Sequence, residues 1–137
     1  MYLIHPDGSG LKRISQHGGF CGSPKWTADS RSVIAYCMTA QDTYNFRFGN
    51  KDGNDELVKI DITSGKAAPI EAGPGVKLMP AVLSSGEIAY LRRDNSAHGV
   101  FYGMGRPGPA GDDLRTPSWS PDGRQVVYSR FAVKDRT

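Results

Sequence analysis

Two segments of this chain contain residue patterns that bind cofactors in other proteins. Gly103-Met-Gly-Arg-Pro-Gly108 has the letters G-x-G-x-x-G. A dinucleotide site needs that pattern to open a helix after a strand, so that phosphate meets the helix N-terminus. Pro107 and Pro109 stand where the helix would have to continue. We therefore interpret the segment as a turn and expect no nucleotide cofactor.

The segment Asn50 to Glu56 offers oxygen ligands at alternate positions, as a calcium loop does. The sixth position from Asn50 holds Asp55 where that loop needs glycine, and the twelfth holds Asp61 where it needs glutamate. This composition favours a polar hairpin tip over a calcium site.

Histidines and nucleophiles are also scattered rather than grouped. The three histidines are isolated beside turn residues, without the H-x-x-x-H or H-E-x-x-H spacing of a metal site: His5, His17 and His98. A G-x-S-x-G elbow is absent from the sequence. We expect no bound metal, no other cofactor and no catalysis within these residues.

Cys21 and Cys37, which are 16 positions apart, are the two cysteines of the chain. They lack the paired four-ligand spacing of a structural zinc site. A disulfide in an oxidising compartment and two free buried thiols both remain open on the sequence alone.

Composition limits the class of protein. The chain has 17 glycines and 9 prolines in 137 residues, which favours short strands joined by tight turns. Its 17 basic and 14 acidic residues are dispersed, so the net charge of +3 does not predict a nucleic-acid partner. No run of apolar residues is long enough for a membrane span.

Three segments repeat one pattern, at residues 23–36, 79–90 and 116–128. Each has a proline, a large apolar residue two positions later, a polar turn and a returning apolar stretch that ends in tyrosine. The prolines are 56 and 37 positions apart. The residues of this repeat signature are Pro24, Trp26, Tyr36, Pro80, Val82, Tyr90, Pro117, Trp119, Asp122, Gly123 and Tyr128.

The third repeat shows why the pattern predicts a β-hairpin. Ser118-Trp-Ser120 alternates polar and apolar side chains as a half-buried strand does. Pro121-Asp-Gly123 supplies a fixed φ, a local hydrogen-bond acceptor and a residue that tolerates positive φ. Val126-Val-Tyr128 then has the β-branched and aromatic side chains favoured in a returning strand.

These residues resemble the TolB-like (WD-like) repeat family. Tyr2 to Ser15 resembles the outer half of such a repeat, and Ser23 to Trp26 and Pro117 to Gly123 resemble its inner strand and turn. The resemblance implies an all-β fold, a partial β-propeller of consecutive four-stranded antiparallel blades. The expected units are about 1–40, 56–93 and 98–133, within a single propeller fragment of residues 1–137. The third blade is expected to be incomplete, because prolines and glycines fill 106–115.

The resemblance also implies a function. TolB-like propellers bind proteins and peptides in the cell envelope, so we expect a non-catalytic binding scaffold in the periplasm or outside the cell. The alternative is the propeller portion of a larger hydrolase, either an amidohydrolase or a prolyl-oligopeptidase-type serine peptidase. Similar repeats also occur in oligogalacturonate lyases. The expected partner is a protein, a peptide or a covalently attached domain.

Three units are too few for a closed propeller, which has four to eight blades. Met1 leads at once into Tyr2-Leu-Ile4 and a polar turn, which is typical of the middle of a repeat. The sequence therefore predicts either a portion of a larger propeller or a ring completed by self-association through open blade edges.

The insertion at about 41–55 is predicted to be a hairpin. Tyr44, Phe46 and Phe48 alternate with polar Asn45 and Arg47, so one face of an extended strand would be aromatic. One interpretation is that this strand packs on a neighbouring loop. The other is a projecting hairpin whose three aromatic residues bind the partner.

Overall fold

A computed structural model describes residues 1–15, 19–48, 54–94 and 96–131. Within these residues the chain forms strands and one short helix, α1 (Ala40–Phe48). No helix in this part of the chain is long and apolar enough to cross a membrane. The strands are β1 (Tyr2–Leu3), β2 (Lys12–Arg13), β3 (Phe20–Trp26), β4 (Ser32–Met38), β5 (Glu56–Asp61), β6 (Ala67–Ile70), β7 (Lys77–Val82), β8 (Ile88–Asp94), β9 (Ala97–Tyr102), β10 (Arg106–Ala110), β11 (Leu114–Trp119) and β12 (Val126–Arg130).

The strands form four antiparallel sheets in chain order. Sheet 1 is β1–β2, sheet 2 is β3–β4–β5–β6, sheet 3 is β7–β8–β9–β10 and sheet 4 is β11–β12. Within each sheet, strands that are consecutive in sequence pair with each other, as tight antiparallel connections allow. The prediction of an all-β fold with consecutive four-stranded antiparallel units is confirmed.

The boundaries of the predicted units need correction. The hairpin β1–β2 is a sheet of its own and does not share a unit with β3 and β4. The segment 41–55 does not end a unit, because all six residues of β5 pair in continuous register with β4. Sheets 2 and 3 therefore span residues 20–70 and 77–110, and each begins at the hairpin of the sequence repeat.

The outer strand expected to be missing from 106–115 is present as β10, which pairs with β9 of sheet 3. Pro107 and Pro109 are tolerated there because β10 is an edge strand. A missing N–H on its open side interrupts no hydrogen bonds between strands. The register shifts between Pro107 and Ala110, and Gly99 of β9 faces the backbone of Pro109 too closely for a Cβ atom. Within the described residues sheet 4, which contains the third repeat, has two strands, and so does sheet 1.

The first strands of sheets 2, 3 and 4 lie side by side, because β7 contacts both β3 and β11. Each of these strands has a register shift at its repeat proline. The residue before each proline has a left-handed backbone: φ is 51° at Ser23, 50° at Met79 and 45° at Thr116. Non-glycine residues rarely adopt this conformation, so a threefold recurrence marks a bulge built into the repeat.

The turns after the first strands are also alike. Asp29 accepts hydrogen bonds from the Thr27 hydroxyl (2.6 Å) and the Arg31 amide (3.0 Å). Asp122 accepts the equivalent bonds from the Ser120 hydroxyl (2.5 Å) and the Arg124 amide (3.1 Å). These bonds lower the pKa of both carboxyl groups. The left-handed position of the turn is filled by Gly123 in one hairpin and by a serine, with φ of 56°, in the other.

Two apolar clusters lie between sheets. One joins sheet 1 to sheet 2 and contains Ile14, Val33, Cys37, Val58 and Ile60, with Met1 and Leu3 packed against it. The other joins sheet 3 to sheet 4 and contains Leu91, Val100 and Leu114, with Trp119 and Tyr128 packed against it. Successive sheets therefore stack face to face.

The indoles of the repeat differ in burial. Trp119 packs on sheet 3, as the repeat predicts, but Trp26 is 52% exposed although it holds the same position in its hairpin. Val82, the third residue of this type, is 37% exposed. Sheet 1 has two strands in the described residues, and it covers only part of the face on which Trp26 lies.

Tyr36 does not belong to the repeat signature. Trp26 pairs with Val33, and Trp119 pairs with Val126. Tyr128 follows Val126 by two residues and shares its face, whereas Tyr36 follows Val33 by three residues and points to the opposite face. The alignment on tyrosine is therefore shifted by one residue in the first repeat, where Ala35 holds the equivalent position.

Charged side chains link sheets 2 and 3 at the start of β7. Lys77 of β7 places its Nζ 2.9 Å from Asp55 Oδ1, and its amide donates to Asp55 Oδ2 at 2.7 Å. Burial raises the pKa of Asp55, and the bonds from Lys77 oppose that rise. On β8, Arg92 donates to Asp94 at 2.6 Å, and Ser96 donates to Asp94 from its amide and hydroxyl.

Asp94 should contribute stability that depends on pH. Burial alone would raise its pKa, but the hydrogen bonds from Arg92 and Ser96 outweigh burial and hold the pKa well below 3.8. Because the folded pKa is depressed, the contribution is present above the ordinary value and is lost as the pH falls towards the folded pKa. We expect Asp94→Asn to lower the free energy of unfolding by about 1–2 kcal/mol at neutral pH.

Urea denaturation at neutral and acidic pH measures this effect. The difference between the native chain and Asp94→Asn should shrink below pH 3.8. The matched control is Asp113→Asn, which removes a more exposed carboxylate 3.8 Å from Arg130 and should change stability little. An equal loss in both variants would contradict the role assigned to Asp94.

Candidate binding surface at the α1 end of the sheets

The stacked sheets have two distinct ends. β3, β7 and β11 start at the same end, because they lie side by side as the first strands of equivalent hairpins. That end carries α1. The last residue of β4, Met38, pairs with Phe20 at the start of β3, and α1 follows directly after it. We call it the α1 end. The opposite end carries the hairpin turns at 27–32, 83–87 and 120–125, and we call it the turn end.

The segment predicted to be an extended hairpin is helical between Ala40 and Phe48, so that prediction is wrong. The helix begins with a local cap: Thr39 Oγ1 accepts from the Asp42 amide at 3.0 Å, and the two side chains also bond to each other. Asp42 in the first turn and Arg47 in the last complement the helix dipole. The pattern Thr39-x-x-Asp42 is a helix-start signal that the alternation of aromatic residues obscured.

Helical geometry regroups the three predicted binding residues. Tyr44 and Phe48 are four positions apart, and their ring centroids lie 5.6 Å from each other. Phe46 lies two positions from each, on a different side of the helix. The side chains of all three are open to solvent, at 60%, 42% and 74% exposed for Tyr44, Phe46 and Phe48. The other interpretation, packing on a neighbouring loop, has one contact in the described residues: the Asn54 amide donates to Asp42 Oδ1 at 3.3 Å.

A fourth aromatic side chain joins this surface from outside the insertion. Phe20, the first residue of β3, is 41% exposed, and the Arg47 guanidinium lies 5.7 Å from its ring centroid. The Phe20 ring also contacts Tyr36 of β4, at 6.0 Å between centroids. We call Phe20, Tyr44, Arg47 and Phe48 the aromatic patch. Sequence analysis missed Phe20 because it is distant from α1 in the chain.

The aromatic patch lies on a rigid support. Cys21 and Cys37 are directly opposed in the β3–β4 register and form a disulfide, which decides between the two states left open by the sequence. Gly22 is paired with Tyr36, and a Cβ atom on Gly22 would meet the Tyr36 ring. The glycine therefore lets Tyr36 lie flat across β3. Phe20 and Tyr36 thus each adjoin a cysteine of the cross-link.

The repeat prolines lie far from this patch, in the middle of the inner strands. Pro80 and Pro117 are buried, and Pro24 is exposed. A cavity of about 280 Å³ lies between the three inner strands, lined by Ser23, Pro24, Lys25, Met79, Thr116 and Pro117. Lys25 also lines a second cavity of about 210 Å³ towards the turn end, next to Trp119.

The remaining sequence candidates do not form a site in the described residues. His98 Nδ1 lies 2.6 Å from Asp112 Oδ1, His5 is exposed, and His17 lies outside the described part of the chain, as do residues 50–53. No group of three metal-ligating side chains occurs among the described residues. Residues 103–105 form the β9–β10 turn and Arg106 begins β10, so this glycine-rich segment opens no helix.

Comparison with family models gave no match, and neither did comparison with curated proteins. Among solved structures, the chain is similar to an oligogalacturonate lyase in complex with manganese, with 14% sequence identity and a TM-score of 0.61. The match covers 93% of this chain and 36% of the lyase chain, which is a β-propeller. The fold is a partial β-propeller. At this level of identity the similarity concerns the fold alone, and sheets 2 and 3 are its complete blades.

We expect the disulfide to contribute strongly to the stability of the blade that carries the patch. It closes a loop of sequence separation 16, for which loss of chain entropy in the unfolded state corresponds to about 3 kcal/mol. The double variant Cys21→Ala, Cys37→Ala should lose that much free energy of unfolding in urea denaturation under oxidising conditions. The reduced native chain is the matched control and should resemble the variant. Equal unfolding midpoints for the oxidised native chain and the variant would contradict this expectation.

Proposed function

We propose that this chain is a non-catalytic propeller scaffold that binds a protein or peptide partner through the aromatic patch. The observation that supports the proposal is the exposure of Tyr44 and Phe48 on a helix with no buried residue. A helix of nine residues gains little stability from its own hydrogen bonds, and a pair of exposed rings four positions apart adds only about 0.2–0.5 kcal/mol. Aromatic rings in contact at the surface are instead typical anchors of an interface.

The patch suggests what kind of partner fits. Phe20, Tyr44 and Phe48 offer ring faces and edges for apolar side chains, with few rotatable bonds to immobilise on binding. Arg47 stands among them with a planar guanidinium that can bind a carboxylate in a bidentate manner. We infer a peptide segment that carries apolar side chains next to an acidic residue or a chain terminus.

We further propose a TolB-like scaffold of the cell envelope, in the periplasm or outside the cell. The Cys21–Cys37 disulfide supports this location, because structural disulfides persist mainly in oxidising compartments. The repeat sequence supports the TolB-like assignment. The rival proposal is the propeller portion of a larger hydrolase, in which the patch would contact the catalytic domain instead of a separate partner.

Peptide selection tests the proposal. A phage-displayed library of random peptides is selected against the immobilised chain, and the affinities of the recovered peptides are measured by calorimetry. We expect Tyr44→Ser, Phe46→Ser, Phe48→Ser together to weaken binding at least about tenfold, since loss of one anchor commonly costs more than 1 kcal/mol. Circular dichroism should show an unchanged β-sheet signal, because none of the three residues is buried.

Two further variants show which residues contribute to peptide affinity. Phe46→Ser alone should change affinity less than Phe48→Ser, because Phe46 lies outside the aromatic patch. The matched control is Met104→Ser, which removes an apolar side chain of 68% exposure at the turn end and should leave affinity unchanged. Peptides that bind the triple variant as tightly as the native chain would overturn the proposal. Hydrolysis of peptides by the full-length protein would favour the rival proposal.

A further inference from the structure

We propose that the Cys21–Cys37 disulfide is a redox switch for the aromatic patch: the oxidised chain presents the whole patch, and the reduced chain, still folded, loses Phe20 from it. The inference rests on the proposed function, because it concerns the regulation of the same surface. The disulfide is adjacent in the β3–β4 register to the pair of Phe20 with Met38. α1, which carries the other three patch residues, begins two residues after Met38.

The end of β3 that carries Phe20 is joined to sheet 2 by three register pairs, at Phe20, Cys21 and Gly22. A register shift between Gly22 and Lys25 separates these pairs from the rest of the hairpin. Within the described residues β3 is an edge strand of sheet 2, so its hydrogen-bonded neighbour is β4 alone. Glycine weakens a strand further, because it has no side chain to pack. Strand ends of this kind open most readily, so the cross-link decides whether Phe20 stays in place.

Phe20 is the member of the patch that depends on this pairing. Its ring lies 5.7 Å from the Arg47 guanidinium only while the start of β3 is held against β4. Tyr44 and Phe48 do not depend on it in the same way, because their rings are in contact within α1, at 5.6 Å, and the helix has its own cap at Thr39. Reduction should therefore remove one ring from the patch and leave the other two.

The rest of sheet 2 does not need the cross-link to stay folded. β4 pairs with all six residues of β5 in continuous register. Cys37 lies in the apolar cluster with Val33 and Val58, and a free cysteine is itself a small apolar side chain. Reduction leaves this cluster packed. Its effect is confined to the end of β3 at the patch.

The oxidant that closes the switch is itself a disulfide, either a small molecule or an enzyme. Cys21 is the more accessible cysteine, because it is half-buried whereas Cys37 is 2% exposed. The Cys21 thiolate attacks the oxidant, releases one thiol and forms a mixed disulfide, and the Cys37 thiolate then attacks Cys21 Sγ and releases the second thiol. The two cysteines give up two protons and two electrons, which the oxidant takes up as two thiols. A chain made in a reducing compartment would thus complete its binding surface only in an oxidising one.

Peptide affinity in the two redox states tests the switch. The probe is a peptide recovered by phage display against the oxidised chain. Its affinity is measured by calorimetry for the oxidised chain, for the chain refolded in dithiothreitol, and for that chain after reoxidation with glutathione disulfide. We expect reduction to weaken binding about fivefold or more, as loss of one anchor commonly does, and reoxidation to restore it. Mass spectrometry after alkylation verifies the thiol state.

Two variants test whether the change acts through Phe20. Phe20→Ser in the oxidised chain removes the same ring, so it should weaken the peptide by a similar factor and make its affinity insensitive to reduction. The double variant Cys21→Ala, Cys37→Ala should bind as weakly as the reduced chain, with and without dithiothreitol. Circular dichroism should show intact sheets in every sample.

The outcomes separate this inference from the proposed function. If the triple serine variant of Tyr44, Phe46 and Phe48 weakens the peptide but reduction leaves affinity unchanged, the patch binds peptides and the switch is wrong. Loss of the sheet signal on reduction, or a Phe20→Ser chain that still loses affinity on reduction, would also overturn the switch alone. A peptide that binds the triple variant as tightly as the native oxidised chain would overturn the proposed function and the switch together.

Discussion

Face-to-face packing of consecutive sheets is the interaction on which this structure depends. Each complete sheet has apolar side chains on both faces, so a sheet is stable only between two neighbours. Sheet 3 meets this condition, with Tyr90 fully buried and stacked on Phe101 on one face and Leu91 and Val100 buried on the other. Sheet 2 meets it only in part. The exposure of Trp26 follows from the same rule that buries Trp119.

The inner strands impose the geometry of this packing. A left-handed residue before each repeat proline shifts the register of the first strand, and the shift recurs at Ser23, Met79 and Thr116. Proline normally restricts the preceding residue to extended conformations, so the bulge must be held by its surroundings. The three bulges lie around one cavity, where the inner strands meet. The same local distortion in each unit is what allows the units to pack alike.

The aromatic patch is built differently from the blades. α1 adds no buried side chain to the core, and its position depends on the cap at Thr39 and on the approach of Arg47 to Phe20. The disulfide cross-links β3 and β4, the strands beneath the aromatic patch. Its cysteines, Cys21 and Cys37, are next in sequence to Phe20 and Tyr36. A surface that can change without loss of the core is suited to recognition, since binding residues can vary while the scaffold persists.

The sequence alone determined the hairpin repeat, the all-β class and the stacking of four-stranded units. Proline, tryptophan and the Pro-Asp-Gly turn act through local φ, alternation and hydrogen bonds, which are readable within a few residues. The division into blades was not readable in the same way. The pairing of β4 with β5 crosses the insertion, and only the tertiary structure shows that it is continuous.

The tertiary structure also decided the conformation of the insertion and the state of the cysteines. Tyr44, Phe46 and Phe48 alternate as in a strand, but the cap at Thr39 and the contact between Tyr44 and Phe48 favour a helix. Phe20 meets Arg47 of α1, and Cys21 lies opposite Cys37, because the β3–β4 hairpin brings together residues that are well separated in the chain. Such contacts depend on register, and a shift of one residue, as at Tyr36, moves a side chain to the other face.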